Sequence, residues 1–242
     1  MIRIVTLNIW KDEGDWPARM AAIAAGLAAL QPDVVCLQEV YVGGGRDAGQ
    51  WLAAATGLAC TQLAARHKLR GGVASSSGVA ILSRTAPIGT MAIGLPTTLA
   101  DGGRKALVAD FTTVAGPLRV ASLHLSHVRT PDASALRAAQ LSALVAAADC
   151  AGPLVLAGDF NARWDAPELA LLSAPGWVSS ATMLAGQSSL IGQPDALIDH
   201  VVLRAGTAAL ALNEARIVLD HPDAAGVLPS DHAGILAVLA AI

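Results

Sequence analysis

The chain has 242 residues, of which 54% are hydrophobic and 14% are charged, and its formal net charge is −3. This length suits one large domain with a substantial core, and the longest apolar stretches fall well short of the roughly 20 residues that a membrane-spanning helix needs. The near-neutral charge and the lack of a long lysine and arginine run weigh against a dedicated duplex-DNA-binding protein, but they do not exclude a local basic patch.

The amino terminus and the cysteines predict a soluble, cytoplasmic protein. An apolar strand begins at Ile2, without the charged segment and apolar core of a secretory signal peptide. Cys36, Cys60 and Cys150 are far apart and form no CxxC pair. We therefore expect buried free thiols in a reducing compartment rather than disulfides or a zinc site.

The first 100 residues predict strands at 2–7, 34–37 and 78–82 and helices at 18–30 and 48–55. The first helix has Asp15 as its N-cap and Pro17 in its first turn, which are favoured positions for both residue types. The basic residues 66–70 predict a solvated loop, and the glycine- and serine-rich residues 71–77 predict a mobile loop.

The rest of the chain predicts strands at 105–111, 118–125, 154–157, 196–203, 210–219 and 234–239, with helices at 134–148 and 166–172. The segment 154–157 is short and uniformly apolar, as in a strand that is buried on both faces. No change in composition marks a linker, so we predict a single domain over residues 1–242.

Two segments repeat the order strand, polar tip, helix, strand and acidic tip. The first has its tips at Asn8 and Glu39, and the second at His124 and Asp159. Two half-domains of this kind would pack sheet on sheet with helices outside, and their polar tips would meet at one edge. Any protein that alternates strands and helices shows a similar pattern, so periodicity alone leaves both interpretations open.

Residues 156–161 are the most informative stretch. An apolar run stops at Gly158, and Asp159 and Asn161 follow two residues apart. Gly158 is expected to relax the backbone at the end of the strand. Residues two apart on a strand or its extension point to the same side, so we expect Asp159 and Asn161 to face one cleft.

Polar residues recur at the predicted strand ends: Asn8, Glu39, His124, Asp159, Asn161, Asp199, Asp231 and His232. Each alone has a structural explanation, such as a cap, a strand end or a core histidine. Together they interrupt apolar strands at a cost in free energy unless they are hydrogen-bonded or bind a cation. Carboxylate and carboxamide oxygens suit Mg²⁺ or Mn²⁺, and the two histidines could supply acid, base or anion-stabilising groups.

Six motifs resemble the endonuclease/exonuclease/phosphatase superfamily in order and approximate spacing, over nearly the whole chain. They are T-L-N ending at Asn8, C-L-Q-E ending at Glu39, L-H-L around His124, G-D-F-N from Gly158, I-D-H around Asp199 and S-D-H ending at His232. The superfamily includes DNase I-like nucleases, abasic-site endonucleases, inositol-polyphosphate phosphatases and neutral sphingomyelinases. The resemblance implies an α+β fold, a four-layer αββα sandwich in which two mainly antiparallel sheets pack face to face with helices outside.

The resemblance also implies a metal-dependent site. Glu39 corresponds to the principal ligand of Mg²⁺ or Mn²⁺, with Asn8 and Asp231 beside the ion. Asp159 corresponds to the residue that orients or deprotonates the attacking water, and Asn161 to the group that holds phosphate and water in place.

Other residues are implied on the phosphate side. His232 resembles the histidine that contacts the scissile phosphate, and Asp199 resembles its supporting carboxylate. His124 occupies a position that is histidine in DNase I-like and sphingomyelinase-like members but tyrosine in abasic endonucleases. Arg84 and Arg104 could bind substrate phosphate, and a solvated arginine is the alternative for both.

The chemistry implied is hydrolysis of a phosphoester by in-line attack of water, by a phosphodiesterase or a phosphatase. A small-molecule or lipid-like substrate is favoured over nucleic acid, because the chain has short loops and no basic stripe, and because His124 departs from the abasic-endonuclease pattern. The alternatives are a DNase or exonuclease and, behind it, a metal-binding interaction module without catalysis. We expect a monomer.

Overall fold

The computed structural model describes residues 1–70, 72–206, 208 and 210–242. Its α-helices are α1 (Trp16–Leu30), α2 (Ala48–Thr56) and α3 (Ala133–Ala147), and short 3-10 helices cover Pro167–Ser173 and Ser180–Thr182. Its strands are β1 (Ile2–Asn8), β2 (Val34–Gly43), β3 (Arg46–Asp47), β4 (Ala59–Arg70), β5 (Val73–Ser83), β6 (Gly89–Leu95), β7 (Arg104–Thr113), β8 (Gly116–His124), β9 (Leu154–Asp159), β10 (Trp177–Ser179), β11 (Asp199–Arg204), β12 (Leu210–Val218) and β13 (Gly234–Ala241).

The strands form two sheets, each of which is mainly antiparallel, as predicted. The first sheet has the order β12-β13-β1-β2-β5-β4, with β3 added to β2, and the second has the order β10-β11-β9-β8-β7-β6. Each sheet contains a parallel pair, β1 with β2 and β8 with β9. A parallel pair needs a crossover connection, which α1 and α3 provide. The repeat in the sequence thus corresponds to two β-α-β units, one in each sheet.

Three apolar cores hold four layers together. Residues of both sheets, such as Ile4 and Val120, form the central core. Met20 of α1 and Leu52 of α2 pack on the outer face of the first sheet, and Leu141 of α3 packs on the second. Strands that are covered on both faces are apolar throughout, which explains the short uniform runs in the sequence. The result is the predicted αββα sandwich.

The start of α1 shows how local signals place a helix. Oδ1 of Asp15 accepts a hydrogen bond from the backbone N–H of Ala18 at 3.2 Å, and Pro17 lies in the first turn. The cap satisfies a backbone donor that has no partner within the helix. The predicted cap is confirmed, although the helix begins at Trp16, two residues before the predicted start.

Two loops predicted between residues 66 and 77 are strands. Residues 66–70 belong to β4 and residues 73–77 belong to β5, whereas Gly71 lies outside the described residues. Because β5 pairs with β2 on one side and with β4 on the other, its serines lie in two ladders of backbone hydrogen bonds. This pairing overrides their low strand propensity. The edge strand β6 was not predicted, because a strand that contains glycine carries a weak signal.

The cysteines partly match their prediction. Cys36, Cys60 and Cys150 are free thiols, of which Cys36 is buried and the other two are half-buried. Burial raises the pKa of the Cys36 thiol to about 12, which makes it unreactive at neutral pH. In the described part of the chain, no helix is both long and apolar enough to cross a membrane.

Candidate active site

The carboxyl ends of the two parallel strand pairs meet at one edge of the sandwich. β1 ends at Asn8 beside β2, and β8 and β9 end side by side at His124 and Asp159. Nδ2 of Asn8 donates a hydrogen bond to Oδ2 of Asp159 at 3.1 Å. This bond joins the tips of the two sheets. Polar tips that are far apart in the sequence therefore form one cluster, as the half-domain interpretation predicts.

Asp159 lies at the centre of the cluster. Its Oδ1 accepts a hydrogen bond from the backbone N–H of Asn161 at 2.8 Å. Its Oδ2 lies 3.4 Å from Nε2 of His124 and 3.9 Å from Nε2 of His232. Burial, together with the nearby charge of Asp199, raises the pKa of Asp159 to about 7. A carboxyl group with a pKa near neutrality can accept a proton from water and release it again.

His232 and Asp199 form a buried ion pair next to Asp159. Nδ1 of His232 donates a hydrogen bond to Oδ2 of Asp199 at 2.8 Å, and the backbone N–H of Asp199 donates to Oγ of Ser189 at 3.1 Å. Burial lowers the pKa of His232, but the carboxylates of Asp199 and Asp159 outweigh it and raise the pKa to about 10. His232 is therefore a cation at neutral pH, and it can neutralise negative charge on a phosphate.

Glu39 occupies a bulge in β2, where the pairing with β5 shifts between Gln38 and Val40. Its φ of 57° lies in the left-handed region, which residues other than glycine rarely adopt. Backbone strain of this kind is concentrated at functional sites. Oε1 of Glu39 lies 3.0 Å from Nζ of Lys11. β2 continues past Glu39 to Gly43, which corrects the predicted strand end.

Glu39 and Asp231 form the acidic side of the site. Burial raises the pKa of Asp231, His232 lowers it, and the charge of Glu39 raises it again. Two partly buried carboxylates that repel each other are a favourable place for a hard divalent cation. Asn8 pairs with Gln38, the residue before Glu39, and its Oδ1 accepts a hydrogen bond from the N–H of Trp10 at 3.1 Å. This donor set fits Mg²⁺ or Mn²⁺.

A second group of potential ligand atoms lies beside the first. Asp159, Asp199 and His232 offer atoms that all lie within 4.8 Å of one another, and Oδ1 of Asp199 is buried without a hydrogen-bond partner in the described chain. A protonated imidazole cannot ligate a metal ion, however. Because the pKa of His232 is raised, a cation in this cluster would have to displace the proton of the imidazole, so the side of Glu39 and Asp231 fits a cation better.

One protein family matches nearly the whole chain. The profile of the Endonuclease/Exonuclease/phosphatase family matches residues 5–232. The chain belongs to this family. Members of the endonuclease/exonuclease/phosphatase family hydrolyse phosphoester bonds. No curated protein matches the chain in sequence.

Solved structures share the architecture of the family. A functionally unknown conserved protein from Enterococcus faecalis V583 has a TM-score of 0.79 at 21% identity, with 100% of both chains covered. D. rerio TDP2 complexed with a single-strand DNA product has a TM-score of 0.78 at 21% identity, over 99% of this chain and 98% of that one. The human Nocturnin catalytic domain with a bound sulfate anion has a TM-score of 0.75 at 22% identity, over 100% and 93% of the two chains. Likeness at this level of identity shows the fold alone.

Two local expectations about the G-D-F-N motif are wrong. Gly158 does not end its strand, because it pairs with Leu123 of β8 and with His200 of β11. A Cβ atom on Gly158 would lie 2.0 Å from the carbonyl oxygen of Leu123, so glycine permits the close approach of β8. Asn161 has a φ of 50° and lies beside Asp159 through a turn that the Asp159 carboxylate closes, not through strand alternation.

The two arginines predicted to bind phosphate occupy different places. Arg84 follows β5 at the end of the sheet opposite to Glu39, and its Nε lies 3.4 Å from Oδ1 of Asp33. Arg84 is therefore remote from the cluster, and its predicted contact with substrate is not supported. Arg104, in contrast, lines a pocket together with Glu39 and His124.

The histidines near the site differ in charge and orientation. Burial lowers the pKa of His124 well below its ordinary value, and the charges of Arg104 and His232 lower it further. His124 is therefore neutral where His232 is charged. His200 points away from Asp199, as strand alternation predicts, and its Nε2 donates a hydrogen bond to the carbonyl of Ala162 at 2.9 Å.

Sequence reasoning missed two cations near the site, Lys11 and Arg66. It also missed Arg19, which holds the loop that carries Lys11. The guanidinium of Arg19 is buried and donates to the backbone carbonyls of Ile9 and Pro229, among others. The local sequence signal for Arg19 was its position as a basic residue on an otherwise apolar face of α1. The local sequence around Lys11 and Arg66 does not show which strand each side chain will face, so their position beside the site is visible only in the fold.

Proposed function

We propose that the protein is a phosphoester hydrolase, a phosphodiesterase or a phosphatase, that depends on Mg²⁺ or Mn²⁺. The observation that carries this proposal is the position of Asp159 between Asn8 of the other sheet and the charged pair of His232 and Asp199. A group that can deprotonate water thus lies beside a group that can neutralise phosphate, and in-line hydrolysis needs both.

Asp159 acts on the attacking water. With a pKa near 7, it is partly ionised at neutral pH and can remove a proton as the water attacks phosphorus. The hydrogen bonds from Asn8 and from the backbone of Asn161 hold its two oxygens in place. A positioned base of this kind typically contributes about 10²–10⁴-fold to the rate.

His232 and His124 act on the phosphate. The charged imidazole of His232, held by Asp199 through Nδ1, directs Nε2 to the non-bridging oxygens. His124 is neutral and can donate a hydrogen bond without adding charge. Preorganised charge of this kind costs no reorganisation during the reaction, which makes it effective.

Glu39 and Asp231, with Asn8 beside them, would hold the metal ion. When bound, the ion polarises the phosphoryl oxygens and lowers the pKa of water. Lys11 supplies a positive charge to Glu39 on the same side of the site. Glu39 would then contact both the ion and Lys11, and its left-handed backbone at the bulge in β2 fixes the position from which its side chain extends.

A DNA nuclease is the second candidate. The basic residues that line the pocket next to Glu39 favour it, and a structural neighbour, D. rerio TDP2, is described in complex with a single-strand DNA product. A small-molecule or lipid-like substrate and a non-catalytic metal-binding module remain the other proposals from the sequence. The cytoplasmic location and the monomeric state also remain predictions.

A substrate panel tests the proposal. The purified protein is incubated with an aryl phosphodiester, an aryl phosphomonoester and single- and double-stranded DNA, each with Mg²⁺, Mn²⁺ or EDTA. We expect metal-dependent hydrolysis of at least one substrate, and loss of it in Asp159→Ala at unchanged circular dichroism. Activity that resists EDTA would refute the metal mechanism. Hydrolysis of DNA alone would favour the nuclease, and no hydrolysis at all would favour the binding module.

A further inference from the structure

Five basic residues line a continuous surface beside the candidate active site. They are Lys11, Arg66, Lys68, Arg104 and Lys105, hereafter the basic strip. All but Lys68 line one pocket, which Glu39 and His124 also line. Lys68 lines an adjoining pocket that shares Lys11 and Arg66 with the first. The strip therefore begins at the reaction centre and leads away from it.

The two sheets build the strip together. It lies where the β4 edge of the first sheet faces β7 of the second. β4 carries a bulge between Ala64 and Arg66, opposite Gly78 of β5. A Cβ atom on Gly78 would lie 1.9 Å from the carbonyl oxygen of Leu63, so the close approach of β4 requires glycine there. The bulge re-aims Arg66 toward the second sheet, where its guanidinium packs over Gly102.

Arg104 is held rigidly at the wall of the pocket. Its Nε donates a hydrogen bond to Oδ1 of Asp101 at 2.9 Å. Oδ2 of Asp101 accepts a hydrogen bond from Nε2 of Gln140 at 3.2 Å, and both of these partners are fully buried. A side chain that is already fixed loses little conformational entropy when it binds an anion.

Most of the strip lacks an acidic partner. Lys11 pairs with Glu39 and Arg104 pairs with Asp101. Within the described chain, Arg66, Lys68 and Lys105 make no ion pair, and Nε of Arg66 is buried without a hydrogen-bond partner. Uncompensated charges of one sign in a cleft attract and concentrate the opposite charge. The strip is therefore an anion-binding surface next to the site.

We propose that the basic strip binds a second phosphoryl group of the substrate. The enzyme then acts on phosphoesters that carry at least one phosphate besides the scissile one. This inference rests on the proposed function, since the pocket of the strip shares Glu39 and His124 with the site. Arginine forks and lysine ammonium groups are the side chains that recognise phosphate.

A matched pair of substrates tests the proposal. One is the p-nitrophenyl ester of thymidine 5′-phosphate, and the other carries an additional 3′-phosphate; nitrophenol release is measured with Mn²⁺. We expect the wild-type protein to prefer the second substrate at least tenfold in kcat/KM. The double variant Arg66→Gln/Lys105→Gln is expected to lower this preference to about one. The control Arg216→Gln removes a half-exposed arginine of β12 and is expected to keep the wild-type preference.

A third substrate, with a 3′-methyl phosphate, identifies the source of the second phosphoryl group. A higher kcat/KM for the 3′-phosphate than for the 3′-methyl phosphate indicates a small bisphosphorylated substrate. Equal kcat/KM values for these two substrates indicate a nucleotide chain. The proposal would be overturned if the wild-type protein had equal kcat/KM for the substrates with and without the 3′-phosphate. It would also be overturned if the double variant kept the wild-type ratio of these two values. Thermal denaturation of both variants shows whether they fold.

A failure of the proposed function can be distinguished from a failure of the basic strip as a phosphate site. If the protein hydrolyses none of these esters, calorimetric titration with inorganic pyrophosphate still examines the strip. Binding that weakens at least tenfold in Arg66→Gln/Lys105→Gln, and not in Arg216→Gln, would support an anion site on a protein that is not this hydrolase. Equal affinities in all three proteins would overturn the strip as a phosphate site.

Discussion

Nδ1 of His232 lies 2.8 Å from Oδ2 of Asp199, although the two residues are 33 positions apart in the sequence. Asp199 begins β11 in the second sheet, whereas His232 precedes β13 in the first. The ion pair therefore connects the two halves of the sandwich beside Asp159. It also keeps the imidazole charged and directs its other nitrogen to the site.

Asp199→Asn is expected to reduce kcat by about 10²–10⁴-fold. The amide keeps the shape of the side chain but removes the charge that raises the pKa of His232. NMR titration should therefore show a lower pKa for His232 in this variant, which a purely structural role of Asp199 would not produce. His221→Ala, at an exposed histidine, serves as the control. An unchanged pKa of His232 would contradict the positioning role.

His232→Ala is expected to abolish turnover while the fold stays intact. The substitution removes the cation that faces the phosphate, and His124, which also lies beside Asp159, cannot replace it because its pKa is lowered. Steady-state kinetics on an aryl phosphodiester measure the loss of turnover, and near-ultraviolet circular dichroism shows whether the fold is intact. Turnover at the wild-type rate in this variant would refute the assignment.

Glu39→Gln is expected to weaken binding of Mn²⁺ at least about tenfold, because a hard divalent cation prefers a charged carboxylate oxygen to a neutral amide. Calorimetric titration with Mn²⁺ measures the affinity without substrate. Glu214→Gln, at an exposed glutamate of β12, is the matched control. Equal affinities for Mn²⁺ in Glu39→Gln and the wild type would place the ion elsewhere.

The free energy of unfolding of the metal-free protein is expected to fall as the pH rises from 6.5 to 10. The folded protein raises the pKa of His232 to about 10 from its ordinary value of 6.5, so the folded state binds the extra proton in this window. The stabilisation that protonated His232 provides is complete below pH 6.5 and is lost as the pH passes 10. The free energy of unfolding falls by at most about 1.4 kcal/mol per pH unit between these values.

Urea denaturation in EDTA across this range measures the effect. The variant His232→Asn should give a flatter profile, because the titrating group is gone. Asp159 changes stability in the same direction, but between its ordinary value of 3.8 and about 7, so most of its effect lies below this window. Identical slopes for the wild type and His232→Asn would contradict the prediction.

Gly158→Ala is expected to destabilise the protein by about 1–3 kcal/mol or more, as overpacking does in a core. The new Cβ atom would lie 2.0 Å from the carbonyl oxygen of Leu123, and backbone cannot move away as easily as a side chain. Gly94→Ala in β6 is the control, because a Cβ atom there meets nothing within 4 Å. Chemical denaturation measures the free energy of unfolding of Gly158→Ala and of Gly94→Ala. Equal stabilities would show that β8 can shift.

Much of the fold follows from the sequence because its signals are local. Uniform apolar runs such as 154–157 mark strands covered on both faces, and Asp15 with Pro17 marks the start of α1. The order of polar tips was also consistent with a shared edge of the sandwich, which was one of the two interpretations that periodicity left open. Parallel pairing places Asn8 beside β2 in one sheet and His124 beside Asp159 in the other, and the packing of the two sheets then brings Asn8 to Asp159.

Only the tertiary structure decided which distant groups touch. The bulge that holds Glu39 in a left-handed conformation depends on its pairing with β5. The convergence of Arg66 and Arg104 depends on two sheets facing each other, and the remoteness of Arg84 depends on strand direction. A local stretch of sequence determines its periodicity and its caps, whereas pairing and facing depend on contacts that the whole chain makes at once. For this reason the sequence predicted the residues of the candidate site, and the fold revealed the basic strip beside it.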